Sequence, residues 1–558
     1  MGIVGKKQNG KTYYYLSESA RVHGKPRIVS QRYLGSAEEV EARLSEGGAG
    51  EPDKTRHLGF GDLAAVWSMI EQLDVIGIID DTVGTRRSDA GSVGTYVALA
   101  CANRIIDPCS KRAFVDWWKT MAGDRWVKLP AAALDHRRFW DAMDALCVED
   151  LQVIESRITA RMIEVFDVDL SGLVLDMTNF ATYIDTGNDR APIAQRGHAK
   201  QKRTDLRLVG LGLIVSTDHG IPLLSHTYAG NRPDVTQFAD MVTNLVDRFT
   251  DLGADTNDFT LVYDAGQNSA GNQKTINGTA MHFVGSLPPS EHPDLLAVAH
   301  RDYSPVERFD GLSAHATTKE VFGAEHQIVI THSQNLHDKQ SRGFDQTLNK
   351  ARQQLTDLAA RLARGRTRNP RAKVEAEIAR IVAPRWVSRV ISSTLTGDTP
   401  ADLRLRWRTK PAARNKLETE LFGKRILFTD RHDWPISDIV AAYRSQSHVE
   451  ADFRQMKDPH VVSFSPMHHW TDQKIRVHTF YCVLALTIAR LMVRQAKTAG
   501  IDTSARQLLA DLAGIQETVL LYQGDRGRPR ARRMLTETSP HQQALHTLYG
   551  LDTYAPKR

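Results

Sequence analysis

Two short apolar runs that each end in an aspartate constrain this chain more than any other feature. Leu173-Val174-Leu175 leads into Asp176, and Phe259–Tyr263 leads into Asp264. An apolar run of this length, flanked by turn residues, reads as a buried strand. The acid after it is then delivered to the rim of a sheet while the run stays in the core. Between the two, Leu208–Ser216 and Ile221–Tyr228 are strand-like and are joined by Asp218-His219-Gly220, a turn pattern. Val235–Phe249 repeats Phe238, Met241, Val242, Leu245 and Phe249 at helical spacing, and Met281–Leu287 is again strand-like. Strands alternating with a helix predict a mixed α/β layer.

The remaining chain has a different texture. Residues 1–50 contain an alternating pattern at Lys11–Tyr15 and Arg27–Leu34 around His23-Gly24, as in a β-hairpin. Residues 51–170 are helical, with Leu63, Val66, Trp67, Ile70 and Leu73 on one face, and form a core-building or DNA-binding region. The first part of the α/β core is expected over 171–299 and its second part over 431–500. An insertion occupies 300–430, with strand-like pieces (Gln327–Thr331, Trp386–Ser392, Arg425–Phe428) and a long basic helical stretch. A basic C-terminal region covers 501–558.

Composition narrows the function classes. The 558 residues are 41% hydrophobic and 25% charged, as in an ordinary globular protein. The most apolar stretch, Phe480–Met492, is interrupted by Arg490 and falls short of a membrane span, and the N-terminus has no apolar leader, so a cytoplasmic protein is expected. Four scattered cysteines without CxxC spacing predict neither a disulfide framework nor a zinc site. The net charge of +6 is modest, but arginines crowd two segments. One holds Arg352, Arg361, Arg364, Arg366, Arg368 and Arg371; the other runs from Arg526 to Arg533. Such runs are commonly solvated surface; two in one balanced chain suggest phosphate contacts.

A third acid lies beyond the insertion. Tyr443, Glu450 and Lys457 fall at i, i+7 and i+14, one stripe of a predicted helix, with Gln446 and Arg454 four residues either side of Glu450. An exposed Glu–Arg pair on a helix accounts for part of this pattern. An aromatic, an acid and a base along one edge also make a DNA-facing ridge. By itself an aspartate after a strand is commonly a turn or helix cap; two of them with this helix suggest a divalent-metal site, since hard cations prefer oxygen ligands.

The chain resembles bacterial insertion-sequence DDE transposases of the IS-four superfamily. The resemblance runs from Leu173 to about Met492. It rests on Leu175-Asp176-Met177-Thr178-Asn179-Phe180, Gly197-His198-Ala199-Lys200 through Leu206, Gly220-Ile221-Pro222-Leu223 with Gly230-Asn231, Val262-Tyr263-Asp264-Ala265-Gly266, and the Tyr443–Lys457 helix followed by Ile475-Arg476-Val477-His478. The helix pattern of that family is Tyr, two residues, Arg, three residues, Glu, six residues, Lys. Here Gln446 stands where Arg is usual, and Arg444 and Arg454 are the neighbours placed to replace its charge.

The resemblance implies a ribonuclease-H-like mixed sheet flanked by helices, with Asp176 on its first strand, Asp264 on its fourth and Glu450 on a helix after the insertion. It implies that these three acids are catalytic and hold two Mg²⁺ ions, replaceable by Mn²⁺, which cleave the ends of a DNA element and let the freed 3′-hydroxyl attack target DNA. His198, Lys200, Lys202 and Arg203 form a basic loop expected to touch DNA, as do Tyr443, Gln446, Arg454 and Lys457. Trp386 is a candidate for stacking on an unpaired base, with packing in the insertion as its other role. Double-stranded DNA is the expected partner and a DNA-assembled homodimer the expected form. A related nuclease, a domesticated DNA-binding protein and a sequence-specific regulator are the alternatives. A glycosidase would want aromatic sugar platforms and no basic runs.

Overall fold

Gly172–Thr182 (β1) is buried along nearly its whole length, the mark of a strand covered on both faces. It is flanked on one side by the antiparallel strands Arg207–Ser216 (β2) and Pro222–Ala229 (β3). The turn between them places His219 and Gly220 at positive φ, as the turn pattern predicts. On its other side lie the parallel strands Thr260–Tyr263 (β4) and His282–Leu287 (β5). A parallel return needs a crossover, and Phe238–Asp251 (α1) supplies it, burying Phe238, Met241, Val242, Leu245 and Phe249. Ala270–Asn277 (α2) makes the next crossover.

The structure is a computed structural model and describes residues 2–8, 10–22, 25–45, 52–84, 91–198, 205–522 and 530–557. The chain divides into two units: Met1–Ala65, Trp118–Val127 and Ala510–Arg558 in one, Val66–Trp117 and Lys128–Leu509 in the other. The larger holds the mixed sheet, which four further strands extend: Ser304–Pro305 (β6), Leu312–Val321 (β7), Ala324–Ser333 (β8) and Lys424–Thr429 (β9). The order is β6-β7-β8-β9-β5-β4-β1-β2-β3. The helices Val75–Val83, Val93–Ile106, His136–Asp144 and Val148–Phe166 belong to the same unit.

The insertion is narrower than the 300–430 expected from the sequence. Strand-like pieces at both ends of that range belong to the main sheet, because β8 and β9 pair with each other from Gln327↔Thr429 to His332↔Lys424. The separate body runs from Gln334–Ala363 (α3) through Arg371–Val382 (α4) and the hairpin Ile391–Thr396/Arg404–Thr409 to Phe422. It has its own core, in which Leu348, Leu355 and Leu362 of α3 meet Val374 and Ile378 of α4. Several arginines of the first basic run tie this body together. Arg352 donates to Thr409 Oγ1, Arg361 pairs with Glu377, and Arg371 donates to the carbonyls of Leu395 and Gly397.

Beyond the insertion come Ile436–Arg444 (α5), Gln446–Met456 (α6) and Asp472–Thr498 (α7). The last is long and apolar enough to cross a membrane by length and composition, but 89% of its most apolar window is buried inside the protein. Arg490, which breaks the apolar run, pairs at 2.5 Å with the buried Asp452 of α6.

In the smaller unit, the expected hairpin is a three-stranded antiparallel sheet, Gly2–Gln8, Lys11–Val22 and Lys25–Ser36. A second sheet has the order Arg530–Leu535, Gln516–Tyr522, Lys54–Gly59. The strand at Lys54–Gly59 lies inside the region expected to be helical; its partner is remote in sequence, so no local pattern marks it. Glu517 is fully buried there between Arg125 and Arg533, so one arginine of the C-terminal basic run neutralises a core carboxylate. Arg526 and Arg528 lie outside the described residues.

Candidate active site

Asp176 sits within a strand rather than after one, because β1 continues to Thr182. What ends is the neighbour. β4 pairs with β1 only from Gly172↔Thr260 to Leu175↔Tyr263, and the chain then leaves the sheet at Asp264. Asp176 and Asp264 therefore follow a registered pair of residues on adjacent parallel strands, at the point where the sheet opens. Asp176 Oδ1 accepts from the backbone N–H of Met177 at 2.7 Å. Asp264 Oδ1 accepts from Ser286 Oγ at 3.0 Å and from Tyr443 Oη at 3.3 Å. Ser286 in turn accepts from the N–H of Ala265 at 3.1 Å, so the end of β5 fixes the turn that presents Asp264.

Tyr443 and Glu450 are not on one continuous helix. Ser445 separates α5 from α6, its hydroxyl turned back to the carbonyl of Ala442 at 2.5 Å, a local bond that competes with helical pairing. The stripe nevertheless faces one region. Tyr443 is buried, and its phenol is pushed up by burial and then by the charge of Asp264, which keeps it a hydrogen-bond donor. Glu450, exposed, lines a cavity of about 290 Å³ together with Tyr443 and Gln446. Lys457, at the C-terminus of α6, donates to Thr178 Oγ1 at 2.8 Å and lies 5.5 Å from the Phe180 ring centre. Period-two alternation puts Thr178 and Phe180 on the face of β1 that carries Asp176. Arg454 is exposed on α6.

Three residues of this region are not among the site residues expected from the sequence. Ser286 is a lone hydroxyl in an apolar strand, Thr178 follows Asp176 by one strand period, and Arg425 lies at the start of β9. Arg425 and Arg444 line the same cavity as Gln446, with the Arg425 guanidinium 5.7 Å from the Tyr443 ring centre. Arg425 therefore brings a cation to the wall of the cavity that Gln446 also lines. Arg444 is engaged against Phe309 at 4.3 Å.

The basic loop is anchored where it begins. Asn179 Nδ2 donates to the His198 carbonyl at 2.9 Å, three residues along β1 from Asp176. A Cβ on Gly197 would lie 2.2 Å from the Gly230 carbonyl oxygen, so only glycine permits this approach to the Gly230-Asn231 turn. Lys200, Lys202 and Arg203 lie outside the described residues. Trp386 is away from this cluster in the insertion, half-buried against Phe344 and Phe422, with Arg385 at 4.2 Å over its ring.

The carboxylate oxygens of Asp176 and Asp264 suit a hard divalent cation. Among the described residues no three Asp, Glu, His or Cys side chains converge as a metal-holding group. Glu450 thus stands on the cavity wall beside Tyr443, not in a closed ligand set with the two aspartates.

Comparison with known proteins adds little. No protein-family model matches the chain, and no curated protein does. Among solved structures, the chain is similar to the piggyBac transposase in a cryo-EM synaptic complex with hairpin DNA. The identity is 9% and the TM-score 0.37, over 83% of this chain and 82% of that one. A likeness that low carries no weight for or against the geometry described above.

Proposed function

We propose that this chain is a DNA transposase with a ribonuclease-H-like core and the acids Asp176, Asp264 and Glu450. One observation carries the reading: Asp176 and Asp264 stand side by side where two parallel strands part, with the helix of Glu450 packed against the same strand. The sheet supports it, since β3-β2-β1-β4-β5 has an antiparallel meander followed by two strands parallel to the first, the arrangement expected of that fold.

In this reading Asp176, Asp264 and Glu450 would hold Mg²⁺ or Mn²⁺ through their carboxylate oxygens. Two such ions, when bound, activate water or a 3′-hydroxyl and stabilise the leaving oxygen of an in-line displacement. The protein's own groups do the rest. Ser286 and Tyr443 aim Asp264, Lys457 holds α6 on β1, and Arg425 and Gln446 meet phosphate at the cavity mouth. His198 leads a basic loop toward the DNA backbone. Two copies acting on two element ends, in the bacterial cytoplasm, complete the proposal.

The test uses duplex DNA from the sequence flanking the coding region, incubated with the full chain and Mg²⁺. Wild-type protein cleaves at the element ends and joins them to a second DNA. Asp176→Asn, Asp264→Asn and Glu450→Gln each lose cleavage by at least about a thousandfold while retaining DNA binding. Full cleavage by the Asp264→Asn variant overturns the assignment. Cleavage without joining assigns a nuclease instead.

A further inference from the structure

A second cavity, of about 570 Å³, opens where the helices Val93–Ile106 and His136–Asp144 meet the start of α7. Its wall carries Arg104, Lys111, Arg112, Arg190 and Lys474, and none of its described lining residues is an acid. Lys474 is neutralised outside the wall by Asp144, at 2.6 Å. Arg104 donates to the carbonyls of Ser465 and Cys109, which orient its guanidinium without cancelling its charge, and its Nε has no hydrogen-bond partner among the described residues. Lys111 is 8% exposed, and its Nζ has no hydrogen-bond partner, only the Tyr481 ring at 4.5 Å and the Phe139 ring at 5.3 Å.

A buried ammonium without an anion is costly and rare in a folded protein. Burial, with Arg104 adding to it, pushes Lys111 down to about 7. The unpartnered Lys111 Nζ and Arg104 Nε at the wall of one cavity call for an anion from outside the chain. The volume lies in the range that holds a nucleotide-sized ligand, and the wall offers planar surfaces for one. Trp140 is half-buried there, and Trp470 is 67% exposed with its backbone carbonyl held by Asn188 Nδ2 at 2.9 Å. Indole rings at a cavity wall are stacking platforms for bases.

The cavity is also connected to the acids. Phe464, just before its rim at Pro466, stacks on Phe180 of β1 at 4.1 Å. Phe180 is four residues along β1 from Asp176, about 13 Å at strand rise.

We propose that this pocket binds one nucleotide of a DNA strand, with its phosphate against Lys111 and Arg104 and its base against Trp140 and Trp470. The inference rests on the reading that the chain handles DNA, but not on which acids cleave it.

The experiment is tryptophan fluorescence of the full chain titrated with a short single-stranded oligonucleotide, with dAMP and with inorganic phosphate. The oligonucleotide should quench, bind at least about tenfold more tightly than dAMP, and be displaced by phosphate. Lys111→Met and Trp470→Ala should each weaken it about tenfold or more. Trp470 is exposed, so its variant tests the pocket even where Lys111→Met fails to fold. Oligonucleotide affinity within twofold of wild type in Trp470→Ala overturns the pocket; equal affinity for dAMP overturns the strand assignment. Asp264→Asn should leave the quenching intact. Loss of DNA cleavage in Asp264→Asn with unaltered binding in Trp470→Ala would sink this inference alone. Quenching by a wild-type chain that never cleaves DNA would sink the transposase reading alone.

Discussion

Tyr443 on α5 donates its hydroxyl to Oδ1 of Asp264 at the end of β4, joining the segment before the third acid to the second acid. Ser286 donates to the same oxygen from β5. Asp264 is thereby aimed by two groups that come from different elements and are 157 positions apart in the chain (443 − 286).

Removing the phenol alone should cost one hydrogen bond, about 1 kcal/mol, because Ser286 still holds the carboxylate. Tyr443→Phe is expected to slow single-turnover DNA cleavage roughly five- to tenfold with little change in DNA affinity. Ser286→Ala should be slower still, since it also releases the N–H of Ala265. Unchanged rates in both variants would show that the pose of Asp264 does not govern the reaction.

Lys457 and Thr178 should be energetically coupled. The amino group bridges α6 to β1 at 2.8 Å, and Thr178 is 3% exposed. In a double-mutant cycle of Lys457→Met and Thr178→Val, the two effects on stability should fall short of additivity by about 1 kcal/mol. Additive effects, read by urea denaturation, would mean that the helix is held on the strand by other contacts.

Leu355 is fully buried in the core of the inserted body. Leu355→Ala should destabilise that body by about 2–5 kcal/mol. Hydrogen exchange should then accelerate across 334–422 while the amides of β1 and β4 keep their protection. Uniform acceleration throughout the sheet would show that the insertion has no separate stability.

Acid should unfold the larger unit through two buried histidines. His478 is fully buried, with Nε2 2.7 Å from the Phe464 carbonyl oxygen and Nδ1 2.5 Å from Tyr481 Oη; burial, then Arg104 and His469, hold its imidazole well below the usual range. His469 is pushed down to about 3 by burial, with Lys111, Arg104, Lys474 and His468 adding to it. Both folded-state values lie below the unfolded value near 6.5. Between about 3 and 6.5 the unfolded chain therefore binds protons that the folded chain refuses. The histidines' contribution to stability is full above 6.5 and is lost as pH falls through that window, by up to about 1.4 kcal/mol per pH unit for each histidine. His469→Gln should flatten the loss between pH 6.5 and 4 in chemical denaturation; an unchanged slope would exclude His469 as a source.

Much of the architecture was legible from local pattern. The runs before Asp176 and Asp264 are buried strands, the stripe from Phe238 to Phe249 is one buried helix face, and His219-Gly220 makes the turn. These follow from periodicity and turn chemistry, which act over a few residues. The break at Ser445 was not legible, because a serine in a helical pattern is compatible with a continuous helix until its hydroxyl finds the Ala442 carbonyl.

The sequence by itself determined the strands and helices around Asp176 and Asp264, and which acids end the apolar runs, because burial period and turn residues are local properties of the chain. Only the tertiary structure decided where β4 stops against β1, that β8 and β9 close the sheet around the insertion, and that Arg425 lines one cavity with Gln446. It also decided that Lys111 and Arg104 share one cavity with Trp140 and Trp470. Each is a meeting of segments far apart in sequence, set by strand register and packing against a shared core, and no local window contains both partners.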